Sequence, residues 1–155
     1  MTLAALTAEL DETRRFFLTS TACLEPADAA FAPCEGMYTV AASVAHVART
    51  IDWFVEGAFD RPDGFDMDFA AHIAEAHAVV DLDVARAWLE RAFDHAAATL
   101  CRHEARLAES LPPGIMGGLP RSAIVSGIVD HTAHHRGALA VYARLLGREP
   151  ALPYG

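Results

Sequence analysis

Apolar positions in this chain recur in steps of three and four, the period of an α-helix, and almost nowhere in the alternation that a strand requires. Leu3, Leu6, Leu10, Phe17 and Leu18 follow that spacing, and with Thr2 as N-cap they predict a first helix ending near Thr21. The stretch CLEPADAAFAPCEGMY contains Pro26, Pro33 and Gly36, which break both periods, so it reads as a long connection. A second helix is expected from about Thr39 to about Phe59, with Val40, Val44, Val47, Ile51 and Phe54 on one face, before the turn residues of DRPDGFD. The segment MDFAAHIAEAHAVV holds a further short helix. Asp83 reads as the N-cap of the longest helical run, which Pro112 and Pro113 stop. A last helix runs from about Arg121 to Leu146, with Gly147 as its C-terminal cap and Pro150 beyond. Four helices of about 20–28 residues would each be roughly 30–40 Å long and could pack side by side. The expectation is therefore all-α, a four-helix bundle with a long crossover connection, forming a single domain over residues 1–155.

Composition narrows the partners. Hydrophobic residues make up 53% of the chain and charged residues 21%, which suits a packed protein rather than a disordered one. The net charge of -9, from 12 basic and 21 acidic residues, argues against an unspecific electrostatic grip on nucleic acid or anionic lipid. A small molecule or a second copy of the chain fits better. No apolar run approaches the roughly 18 residues of a membrane span, and the first dozen residues lack the order of a signal peptide. Cys23, Cys34 and Cys101 are scattered, as reduced thiols of a cytoplasmic protein would be, and Cys34 and Cys101 are expected to be small core residues outside any site.

The candidate chemistry lies in GIVDHTAHHRGALAVYARLLG. His131 and His135 are one turn apart, about 40° round a helix, so both rings can reach one ion. They interrupt the core stripe Ile124, Ile128, Ala138 and Tyr142, where burying imidazole is costly unless something satisfies it. A metal ion would, since neutral imidazole is its commonest protein ligand. His134 belongs to the neighbouring stripe and is the weaker candidate. A third ligand has to come from another helix. His46 qualifies, because its row, with Thr39, Ser43, Thr50 and Trp53, borders the apolar face of the second helix. His72, His77, His95 and His103 read as surface residues. Each of these readings competes with a blander one, in which His46 is an ordinary boundary residue and Trp53 plain core rather than a pocket wall.

Together, FAPCEGMYTVAASVAHVARTIDWF and the distant HTAHHRGALAVYARLLGREPALPYG resemble the DinB/YfiT-like superfamily of metal-binding four-helix bundles. The resemblance implies that His46, His131 and His135 bind a divalent metal ion, nickel or zinc. Ala138 departs from the pattern, standing where many members carry glutamine. Characterised relatives include thiol-dependent S-transferases and an isomerase that uses a low-molecular-weight thiol. The implied activity is thus metal-dependent transfer or isomerisation, in which the ion holds a small-molecule thiol as thiolate for attack on an electrophile. Arg136, next to His135, is the candidate to orient an anionic cofactor or substrate. The alternative is a non-catalytic, stress-related metal-binding module, and in either case the resemblance implies a homodimer.

Overall fold

In a computed structural model describing residues 1–154, the chain forms five α-helices: α1 (Leu3–Thr21), α2 (Val40–Val55), α3 (Phe69–Ala78), α4 (Leu82–Arg102) and α5 (Ile124–Leu145). The four long helices make the expected bundle, and the short α3 lies against α2. Around the bundle, α1 packs between α4 and α5, and so does α2, which puts α1 and α2 at opposite corners. The connection of residues 22–39 is therefore a diagonal crossover. That of residues 103–123 is a second one, since α4 and α5 also face each other across the core. Leu6, Leu10 and Phe17 of α1, Ile51 of α2, Leu89 and Leu100 of α4, and Ile124, Ile128 and Leu139 of α5 fill the centre.

Local chemistry sets most helix ends. The Thr2 hydroxyl accepts from the Ala5 amide at 3.2 Å, and Thr39 accepts from Ala42 at 3.1 Å, each satisfying an amide left free by the first turn. Gly147 follows α5 with φ of +76°, the left-handed conformation that ends helices and that glycine adopts without strain. The expected Asp83 cap is corrected to Asp81, whose carboxylate accepts from the amides of Asp83 at 2.8 Å and Val84 at 3.0 Å. Starting two residues earlier makes Leu82 helical and buries it, and leaves Asp83 in the first turn, where negative charge suits the helix dipole.

The third long helix also stops earlier than the pattern suggests. It ends at Arg102, and a single 3₁₀ turn at Glu104–Arg106 leads into irregular chain well before Pro112. Leu107 and Leu111, whose spacing of four looked helical, are buried from this turn-rich segment instead. It is held by backbone bonds from Leu111 to Leu119 at 2.8 Å and from Arg121 to Glu109 at 2.8 Å. Burial decided the path of the chain there, with helical continuity given up.

The first crossover is tied down at both sides. Arg86 of α4 donates to the carbonyls of Thr21 and Leu24 at 3.1 and 2.9 Å. Arg148, just past α5, pairs with buried Asp28 at 2.6 Å and with Glu25 at 2.8 Å. The Asp28 carboxyl is desolvated, which opposes ionisation, yet the Arg148 hydrogen bond, the Glu25 amide and the arginine's charge together hold its pKa below the usual value. Between α2 and α5, Gly127 lies flush against the Phe54 ring: a Cβ there would stand 2.7 Å from the ring's Cζ. That close approach occurs one turn before His131.

Candidate metal centre

α2 and α5 are neighbours, so a residue on the inner edge of one meets the other across their seam. His46 projects from the middle of α2, and His131 and His135 from successive turns of α5. Their rings converge, with centroids 4.9 Å apart for His46 and His131, 4.8 Å for His46 and His135, and 4.5 Å for His131 and His135. One nitrogen from each can be chosen so that all lie within 4.8 Å of one another. The Nε2 atoms of His46 and His131 are 3.1 Å apart.

Burial makes these imidazoles neutral. Desolvation is the main cause of the lowered pKa in all three; it takes His131 down to about 4 and His135 to about 3, with repulsion from neighbouring imidazoles adding to it. Each ring therefore offers a lone pair at neutral pH, without a proton to displace first. None of the three is hydrogen-bonded to a carboxylate among the described residues. His131 also buries an Nδ1 that has no partner. Three clustered nitrogen donors, one ring with an unsatisfied atom and no counter-charge nearby form a donor set that fits a divalent transition metal.

Two residues to which the sequence assigned no role complete the surroundings. The Tyr38 hydroxyl is 3.4 Å from His46 Nδ1, and its ring is stacked between those of His46 and His77, at 4.8 and 4.7 Å. Burial raises the Tyr38 pKa, so the phenol stays protonated. Tyr38 lies in the crossover, before the helical pattern begins, where periodicity has nothing to say about it. Thr50 was on the right row: its hydroxyl is 3.5 Å from His131 Nε2. Beside His135 opens a cavity of about 200 Å³, bordered by Tyr38, Ser43, His134, Ala138 and Tyr142. Ala138 stands on the wall of this space.

Other expectations fall elsewhere. Arg136 is turned toward α1, with its guanidinium 5.7 Å from the Phe16 ring centroid, and lines a different cavity from the histidines. Trp53 is core, donating to the Asp66 carbonyl at 2.6 Å and packed against Phe54 and Phe65, so it does not wall the site. Cys34 and Cys101 are exposed rather than buried. Of the four histidines read as surface residues, only His77 is exposed. His72 accepts from Arg49 at 3.2 Å, His95 meets Asp52 at 3.1 Å, and His103 stacks on Phe59. Polar flanking sequence hid partners that come from other helices.

Among the described residues no helix is long and apolar enough to cross a membrane. The DinB family model matches residues 2–155. The fold is similar to that of a DinB-like protein from Bacillus cereus ATCC 10987, known from its crystal structure. The TM-score is 0.68 at 16% identity, over 97% of this chain and 93% of that one. No curated protein matches the chain.

Proposed function

The chain belongs to the DinB family, and from that premise we propose that it binds one divalent metal ion, nickel or zinc, through His46, His131 and His135, and serves as a metal-dependent thiol transferase or isomerase. The observation that carries the reading is the convergence of three neutral, largely buried imidazoles from two helices on one point. A bound ion would supply Lewis acidity, lowering the pKa of a coordinated thiol or water. With three uncharged ligands the site keeps the full charge of its ion, which favours an anionic sulfur over a neutral one. The protein's own groups do the rest. Tyr38 steadies the His46 ring from its outer nitrogen, Thr50 stands beside the inward nitrogen of His131, and the cavity beside His135 admits a small substrate. The electrophile and the thiol are small molecules, and the working unit is a homodimer.

The test begins with elemental analysis of protein purified without an affinity tag. About one equivalent of metal is expected, and little in His46→Ala, His131→Ala or His135→Ala. Loaded protein should then consume a chlorinated aromatic electrophile only when a low-molecular-weight thiol is supplied. Metal in the absence of thiol-dependent turnover would instead assign a non-catalytic binding module. An unchanged metal content in all three variants would remove the site altogether. Light scattering reads the dimer independently.

A further inference from the structure

On the other side of α5 from the histidines, we propose a second site, in which Arg136 holds the carboxylate of a small aromatic monocarboxylate. The argument begins with the charge. Every basic residue in this chain is arginine, and the half-buried ones, Arg14, Arg49, Arg86, Arg106, Arg121 and Arg148, each face an acidic side chain. Arg91, Arg102 and Arg144 lack such a partner but are exposed, and water satisfies them. Arg136 is the exception: half-buried, paired with no carboxylate among the described residues, its guanidinium over the face of Phe16. A partly desolvated guanidinium left without a counter-charge is costly, and a cation–π contact offsets only part of that cost.

Its surroundings state what the missing anion looks like. Arg136 lines a cavity of about 200 Å³ between α1 and α5, walled by Phe16, Val129, Ala133 and Tyr154 and mostly apolar. Phe16 and Tyr154 meet edge to face at 5.1 Å, so the walls present ring surface to an occupant. Thr132, on the same wall, buries a hydroxyl that has no hydrogen-bond partner. The space is below the usual range for cofactor pockets and suits one ring with its carboxylate. Arginine's planar fork takes a carboxylate through two parallel bonds. Position fits too: Val129, Thr132 and Arg136 face α1, whereas His131 and His135 face α2, so occupancy does not require the metal.

Titration of the purified full-length protein with benzoate, followed by calorimetry and amide NMR, tests this directly. Benzoate should bind at least about tenfold more tightly than benzamide, which keeps the ring, or acetate, which keeps the charge. The shifted amides should cluster on α1 and α5 around Phe16 and Arg136. Arg136→Gln should abolish the preference for benzoate over benzamide, and Arg136→Lys should restore part of it. Ala133→Phe fills the cavity from an exposed position without touching the charge and should block all three ligands, with circular dichroism checking that each variant folds. Benzoate binding should survive in His131→Ala, which separates this site from the metal centre. Equal affinity for benzoate and benzamide overturns the proposal. So does benzoate binding that Arg136→Gln leaves intact.

Discussion

Partly buried imidazole has a measurable consequence for the metal-free protein. His131 and His135 titrate near 6.5 in the unfolded chain but near 4 and 3 in the folded one, because burial penalises the charged ring. Between those values the unfolded state binds protons that the folded state refuses, so stability falls as pH drops from about 6.5 toward 4. Asp28, whose pKa lies below the ordinary carboxylate value, weakens the fold only at still lower pH, which leaves this window to the histidines. Urea midpoints at pH 7, 6 and 5 should decline, and the decline should flatten in a His131→Leu, His135→Leu double variant. A parallel decline in both proteins would assign the effect to other groups. Tyr38 makes a second prediction at this scale. Replacing it by phenylalanine removes the hydroxyl facing His46 Nδ1 and keeps the stack, and should weaken metal binding by about tenfold in a chelator competition while the fold is unchanged. His131 and His135 drew notice in the sequence because they interrupt a core stripe, and His46 because its row borders one, but it was the family resemblance rather than spacing that set the three together. Tyr38 drew none, because it precedes any periodic segment and reaches the site through the crossover.

Among the helices, capping and close approach decide stability. Asp81→Ala should cost about 1 kcal/mol in denaturant unfolding, the usual loss for a carboxylate N-cap, whereas Asp83→Ala should cost a few tenths. Equal effects would restore the cap that the sequence pattern favours. Gly127→Ala places a methyl against the Phe54 ring and should destabilise by about 1–3 kcal/mol, the range for overpacked cores. Because the clash lies one turn before His131, it should also push α2 from α5 and loosen metal binding, a pairing of effects that a purely local defect would not give. The four long helices could be read from the chain because their apolar faces are long and regular. The end of α4 could not, since Leu107 and Leu111 keep helical spacing while the backbone between them turns, and that choice depends on Leu119 and Arg121 from the far side of the loop.

For the whole molecule, two diagonal connections mean that each sequential pair, α1 with α2 and α4 with α5, must be spanned by loops rather than by direct packing. Arg148 fastens the first loop to the far end of α5, so Arg148→Ala should lower the unfolding midpoint and expose residues 22–39 to limited proteolysis before the helices are cut. Cleavage elsewhere first would argue against that anchoring role.

The convergence of His46 and His131 joins positions 85 residues apart. An ion seated there acts as a detachable clasp on the chain, drawing closed a circuit that contains α3, α4 and both of their flanking loops. A ligand that binds only the folded chain, at about a hundred times its dissociation constant, adds about 2.7 kcal/mol to stability. Supply of the metal would therefore set how tightly the bundle is fastened: chelation should speed amide exchange along α2 and α5 together, and readdition should slow both in step.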